Sequence, residues 1–181
     1  MGDINRYNIS QAERNMPNNA MGKLYTSNIV AFIPLHKYDL IYCFENSIGY
    51  LPDNKTIDIF KNISDNLLSN NGKLVIHFTN RDFLVKNLSP RTWFGNKRTG
   101  YLLEKRTLDN LTGQINFEQV RILNDHEKHC SISLRLYTLQ EISCLLERAD
   151  LKITKVYGDF VGNSYTSRSP AMIIEIQHLR R

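Results

Sequence analysis

Residues 38–54 read YDLIYCFENSIGYLPDN. An apolar, aromatic-rich run of strand length opens into a polar loop with one glycine, and a helical pattern follows. Such a run suits a strand buried on both faces, as in a parallel sheet. In the next segment, DNKTIDIFKNISDNLLSNNGK, Phe60, Ile63 and Leu67 fall on one helical face. NNG then stops the helix, with Gly72 suited to the left-handed position after it. KLVIHF (residues 73–78) reads as a second buried strand. Strand, helix and strand without a hairpin signal predict a parallel crossover.

Working outward, Ile9, Ala12 and Met16 recur at helical spacing after Asp3, and MPNN ends that pattern. Beyond Tyr101 the texture changes. YLLEKRTLDNLTGQINFEQVRIL is two alternating runs around DNLTG, a hairpin signal, and HCSISLRLY alternates in the same way. TLQE forms a capping box, Thr138 with Glu141, before a helix that buries Ile142, Leu145, Leu146 and Ala149. Two late strands, KITKVYGDF and AMIIEIQ, flank the loop VGNSYTSRSP. The whole predicts an α/β fold with a mixed sheet. It is organised as one domain over residues 1–181, a parallel α/β part (1–100) followed by an antiparallel part (101–181).

With 181 residues, 41% hydrophobic and 23% charged, the composition is that of one ordinary globular domain. No apolar run reaches the roughly 20 residues of a membrane span, and the start lacks the basic and apolar regions of a signal peptide. Cys43, Cys130 and Cys144 are odd in number and far apart, which predicts no disulfide framework and a cytoplasmic protein. The net charge of +5 is dispersed over pairs such as Lys97–Arg98, Lys105–Arg106 and Arg180–Arg181. No basic block with spaced aromatics is present, so the charge argues for a solvated surface rather than nucleic-acid binding.

The loop after the first strand is the default ligand site, because ligands bind at the carboxyl ends of strands in open α/β sheets. Glu45, Asn46 and Ser47 offer hydrogen bonds there, and Gly49 permits close backbone approach. The same residues would serve equally well as a turn capping the next helix. Asn80, Arg81 and Asp82 end the second strand on the same rim, and Trp93, the only tryptophan, sits in the connection after them. That connection reads as a lid over an acceptor or as a loop pinned by one aromatic anchor. HEKHC (residues 126–130) matches no zinc spacing and reads as a polar turn, so no metal is expected. His77 reads as a hydrogen-bonded core histidine, and Cys43, with no activating neighbour, as packing.

Taken together, YDLIYCFENSIGYL, NNGKLVIHFTNRD, SPRTWF, LDNLTG, LRLYTLQEISCLLERADL and VYGDF...SYTSRSP resemble the class I S-adenosylmethionine-dependent methyltransferases. The resemblance is to the small-molecule branch, with a Rossmann-like core and an antiparallel C-terminal hairpin, and it runs in order over nearly the whole chain. It implies a methyltransferase that uses S-adenosyl-L-methionine to methylate a small-molecule acceptor. It also implies roles for particular residues. Asp3 would hold the ribose, Asn28 the adenine, and Cys43 and Phe44 would border the cofactor. Glu45, as general base, and Asn46 would face the methyl-transfer centre. Tyr50, Asn80, Arg81, Trp93, Arg135, Tyr137 and Tyr165 would face the acceptor.

The same resemblance exposes departures. The family's glycine-rich turn follows its first strand, about 20 residues before the ribose acid, whereas Asp3 has two residues ahead of it. Asn28 stands where an acid is usual, and Asp150 where a glycine usually ends a helix. The expectation is an N-terminally incomplete methyltransferase fold with an open strand edge. Either a complementing chain completes it as a hetero-oligomer, or identical chains pair across the gap, or the core is rearranged and inactive. The alternative function is a non-catalytic subunit that stabilises or activates a partner methyltransferase.

Overall fold

The computed structural model describes residues 2–17 and 22–179; the Arg180–Arg181 pair and part of the MPNN stop lie outside these. In chain order the elements are β1 (Gly2–Asp3), α1 (Arg6–Asn15), β2 (Tyr25–Thr26), β3 (Tyr38–Cys43), α2 (Asp53–Asn62), β4 (Leu68–Thr79), α3 (Arg81–Asn87), β5 (Arg91–Asn96), β6 (Gly100–Asp109), β7 (Gln114–Leu123), β8 (His126–Arg135), α4 (Leu139–Glu147), β9 (Leu151–Tyr157) and β10 (Ala171–His178).

The central sheet is mixed, in the order β3–β4–β10–β9. β3 and β4 are parallel, as the crossover pattern requires, and β10 runs antiparallel between β4 and β9. One face carries the main core. Phe60 and Ile63 from the α2 region, Leu74, Ile76 and Phe78 of β4, Ile142 and Leu146 of α4, and Met172, Ile174 and Ile176 of β10 are all buried there. The other face is partly open. Leu40 and Tyr42 of β3 are 59% and 65% exposed, so the expectation of burial on both faces is corrected. Ile41 and Cys43 point to the core, whereas their alternate neighbours are turned outward and mostly exposed.

A second correction concerns the end of α2. The chain leaves it through a π turn, Ile63–Leu67, and enters β4 at Leu68, so NNG lies within the strand. Gly72 is required for space rather than for a left-handed turn: a Cβ there would stand 2.9 Å from the Tyr38 carbonyl oxygen. It sits where the β3–β4 register shifts.

The antiparallel run forms a sheet of its own, β5–β6–β7–β8, rather than joining the central one. The hairpin expected at DNLTG joins β6 to β7, with Gly113 at φ +66°. HEKHC is not a turn but the start of β8. The turn before it is Asn124–Asp125, whose two positive φ angles match a two-residue hairpin. Trp93 likewise lies in a strand, β5, not in a loop. One end of this sheet packs through Ile115 and Leu134 on Leu84 and Leu88, which joins it to the α3 region.

The capping box forms at α4: Thr138 Oγ1 accepts from the Glu141 amide, and the Glu141 carboxylate accepts from the Thr138 amide at 2.7 Å. Glu141 also receives Arg135 Nη2 at 2.7 Å and Arg81 Nη1 at 3.3 Å. Burial pushes its carboxyl up, but the bonds from Arg135 and Thr138 outweigh this and hold it below the ordinary 4.5. A carboxyl depressed in the folded chain contributes stability above its unfolded pKa, and that stability is lost as pH falls through the folded one. Urea midpoints measured from pH 6 down to pH 3 should therefore fall more steeply for the wild type than for Glu141→Gln, with the divergence starting near 4.5. Parallel curves would deny the carboxylate this role.

β1 and β2 form a separate parallel pair. Between it and the free edge of β3 lies a cleft of ≈ 300 Å³, lined by Gly2, Tyr25, Phe32, Tyr38, Leu40 and Tyr42.

Candidate active site

The carboxyl end of β3 carries the least relaxed backbone in the central sheet region. Glu45 and Asn46 are consecutive and both left-handed, at φ 57° and 56°. Asparagine tolerates this conformation; for glutamate it is costly and needs outside support. Asn46 supplies that support. Its Oδ1 accepts the Thr79 amide at 2.6 Å, and its Nδ2 donates to Thr79 Oγ1 at 3.0 Å. Its amide donates to the His77 carbonyl, and the Glu45 amide donates to His77 Nδ1 at 3.2 Å. That bond makes Nδ1 an acceptor and places the neutral ring's proton on Nε2. The ends of β3 and β4 are thus laced together, with the Glu45 side chain 84% exposed above them. Beside it, Phe44 stacks on Tyr42 at 5.1 Å and meets the edge of Phe160 at 5.6 Å; Phe160 also packs against the His77 ring.

From Asn46 the chain makes a 3-10 turn, Ser47–Tyr50, and passes so close to β8 that a Cβ on Gly49 would stand 2.5 Å from the Arg135 carbonyl oxygen. This contact creates a polar cavity of ≈ 360 Å³ lined by Tyr50, Asp53, Thr112, Gln114, Ser133 and Arg135. Arg135 is fixed on several sides: Nη2 on Glu141, Nη1 donating to the Leu136 carbonyl at 2.8 Å, Nε 3.6 Å from Asp53, and the guanidinium 4.8 Å above the Tyr137 ring. Tyr137 is wholly buried. Its hydroxyl donates to Asp53 Oδ1 at 2.9 Å, and burial drives its pKa far above the ordinary value.

The structure brings Tyr50 and Arg135 to one cavity, and Glu45 and Asn46 precede the Ser47–Tyr50 turn that borders it. Asn80, fully buried, is engaged within the fold. Its Nδ2 donates to the Thr166 and Ser169 carbonyls, and its Oδ1 accepts from the Asp82 amide and the Tyr165 hydroxyl. Burial first, and Asp82 second, raise the Tyr165 hydroxyl. Arg81 bridges Glu141 and the Asn110 carbonyl. Trp93 stands among Tyr101, Leu103, Val120 and Ile122 of its own sheet. Burial pushes the Cys43 thiol up, which suits packing and not nucleophilic attack.

Across the cleft, Asp3 accepts the Asn5 amide at 2.7 Å and Asn8 Nδ2 at 3.0 Å, and these bonds hold its carboxyl below the ordinary range. Asn28 Oδ1 accepts the Val30 amide at 3.0 Å. Asn62 steadies the same loop, donating to the Ile29 and Phe32 carbonyls. Sequence reasoning missed Asp53, Asn62 and Phe160. Asp53 reads as a helix-start acid and Asn62 as a surface polar residue of α2, while only the tertiary fold carries Phe160 to His77.

No protein-family model and no curated protein sequence matches the chain. Solved structures do. An S-adenosylmethionine-dependent methyltransferase from Clostridium acetobutylicum superposes with TM-score 0.85 at 15% identity, over 98% of this chain and 73% of that one. The CcbJ methyltransferase from Streptomyces caelestis gives 0.80 at 16%, over 94% and 69%. CalS10, an amino pentose methyltransferase from Micromonospora echinaspora, gives 0.69 at 14%, over 98% and 72%. The fold is that of the class I methyltransferases. In this methyltransferase fold the Glu45–Asn46 turn occupies the carboxyl rim of the parallel strands, where open α/β sheets hold their ligands.

Proposed function

We propose that the chain forms the greater part of an S-adenosylmethionine-dependent methyltransferase acting on a small-molecule acceptor, with its cofactor site completed by a strand and turn from outside residues 1–181. The observation that carries this reading is the laced, left-handed Glu45–Asn46 turn on the rim of a methyltransferase-fold sheet, leading into a polar cavity. The completing segment is argued from the free β3 edge and the cleft between it and β1. Three free cysteines suit a cytoplasmic setting, and among the described residues no helix is long and apolar enough to cross a membrane.

The residues present fit the adenosine half of the cofactor. Asp3 is kept ionised, as a ribose acceptor must be, and Asn28 Oδ1 retains a second lone pair for adenine. Cys43 and Phe44 border it, and the methionine half falls to the completing turn. When bound, the cofactor supplies an electrophilic methyl group. The chain's own work is to orient the acceptor and take up its proton. Tyr50 and Arg135 line the acceptor cavity, with Tyr137 and Arg81 holding their partners in place. Asn80 and Tyr165 fix the closing loop. Glu45 receives the acceptor's proton on a carboxylate oxygen.

The test is a chimera in which a methyltransferase-type strand, glycine-rich turn and helix are fused to residue 1. Calorimetry should show S-adenosylmethionine binding at least about tenfold tighter than by the 181 residues alone. In the chimera, Glu45→Gln should lower kcat about 100-fold with cofactor affinity unchanged. A folded chimera that binds no cofactor would overturn the enzyme reading, and equally tight binding by the unextended chain would overturn the need for completion. A second reading, a helper subunit without catalysis, is favoured by the engagement of Asp3 and Asn28 within their own turns. Activity untouched by Glu45→Gln and Asn46→Ala in the assembled enzyme would select it.

A further inference from the structure

His77 stands at the root of the Glu45–Asn46 turn, and its ring takes a place that a backbone carbonyl could fill. Nδ1 accepts the Glu45 amide at 3.2 Å, while the Asn46 amide goes to the His77 carbonyl, also at 3.2 Å. The two halves of the turn therefore hang on different atoms. Asn46 is held by groups that never change charge, Glu45 by a nitrogen that can. The ring side chain is 12% exposed, Phe160 packs against it at 5.0 Å, and Glu45 Oε1 lies 3.7 Å from the same Nδ1. The other groups about the ring are neutral or already engaged. Ile173 and Tyr157 continue its row on β10 and β9. In the next row Glu175 pairs with Lys155 in register and takes Lys73 Nζ at 3.2 Å. The Asp159 carboxylate, beside Phe160, accepts from the Val161 and Asn163 amides and from Asn163 Nδ2.

We infer that His77 is the positioning residue for Glu45, and that the charge state of its ring sets where that carboxylate points. With Nδ1 bare, the ring receives the Glu45 amide and the left-handed φ of 57° is held. The carboxylate then stands out from the rim, its side chain 84% exposed. A proton added to Nδ1 from solvent makes both ring nitrogens donors. Ring and amide now oppose each other, donor to donor, and Glu45 loses the support that its left-handed conformation needs. The new Nδ1–H meets Glu45 Oε1 instead, as imidazolium and carboxylate. The carboxylate turns down onto the ring and leaves the rim. Asn46 keeps its bonds to Thr79 and to the His77 carbonyl, so the change is confined to one residue. Histidine is the side chain that changes charge between about pH 5 and 8, so the carboxylate is presented at the alkaline end of that range and withdrawn at the acid end. The consequence for methyl transfer rests on the reading of Glu45 as the acceptor's base; the coupling of ring to turn does not.

The 181-residue chain tests this by NMR without cofactor or acceptor. From about pH 8 to pH 5 the ring nitrogen shifts of His77 should report protonation of Nδ1. Over the same midpoint, protection of the Glu45 amide against hydrogen exchange, corrected for the intrinsic rate, should fall about tenfold, as expected for one lost hydrogen bond. Protection of the Asn46 amide should not change. His77→Asn sets an amide oxygen near the place of Nδ1; it accepts but takes no proton, so Glu45 protection should persist across the range. A ring that stays neutral throughout overturns the inference, as does Glu45 protection indifferent to a ring that titrates. Equal losses at Glu45 and Asn46 overturn it too, since they mean a general loosening of the rim, and so does a fall in His77→Asn equal to that of the wild type. Should His77→Asn fail to fold, the two wild-type amides decide alone. Unchanged kcat in the Glu45→Gln chimera would remove the base and leave the coupling of ring to turn standing, so the two failures are told apart.

Discussion

Asn80→Ala should lower the melting temperature by roughly 6–12 °C, the largest loss expected from any single polar side chain in the described residues. The side chain is 1% exposed and uses both amide hydrogens and its oxygen at once. Its Oδ1 caps α3 through the Asp82 amide at 3.0 Å, and its Nδ2 holds the Thr166 and Ser169 carbonyls at 3.0 and 2.8 Å. Alanine strands these groups, together with the Tyr165 hydroxyl, in a space too tight for full rehydration. Several orphaned partners cost about 3 kcal/mol in total, which converts to that shift for a chain of this size. Thermal denaturation followed at 222 nm is the measurement. A change below about 2 °C would mean that α3 and the loop before β10 do not depend on this residue.

Gly49→Ala is expected to cost a similar amount and to reach further. The new methyl would meet the Arg135 carbonyl oxygen at 2.5 Å and Leu134 Cδ1 at 2.8 Å, and the oxygen belongs to backbone that cannot swing aside. Either β8 retreats or the Ser47–Tyr50 turn does, at roughly 2–4 kcal/mol by the usual cost of overpacking. The turn is the softer side, and it begins at Asn46, whose bonds to Thr79 hold the rim. In the chimera the variant should therefore lose methyl transfer while the folded population survives at low temperature. Full activity with a lowered melting point would show that the turn and the rim are uncoupled.

Much of this was legible in the sequence. The β3–α2–β4 crossover, the β6–β7 hairpin and the α4 capping box each rest on local patterns, and local patterns are what a sequence displays openly. Two kinds of feature were hidden. One is space: Gly72 reads as a turn glycine and Gly49 as permitting close backbone approach at a ligand loop, but what each makes room for is backbone far away in sequence. The other is pairing across distance. Asn80 reads as a rim residue offering hydrogen bonds to a ligand, yet the loop that takes up its donors arrives more than eighty residues later. The Glu45–Asn46 turn was recognised as polar and glycine-flanked. Its left-handed strain and the Asn46–Thr79 lacing depend on two strands lying side by side, which no spacing within either one encodes. The aromatic run of β3 misled for the same reason: alternation shows which residues are apolar, not whether a neighbour arrives to cover them.

The position of β10 has a consequence for how the molecule is made. It lies between β4 and β9, so Phe78 and Leu74 finish their pairing only when Met172 and Ile176 emerge. A ribosome therefore releases β5 to β9 before the keystone strand can drop in, and β9, whose one ladder partner among the described residues is β10, must wait beside an empty slot. Maturation is committed to a long-range closure, the slow kind, and a stop codon ahead of β10 would leave β4 and β9 estranged rather than one end frayed.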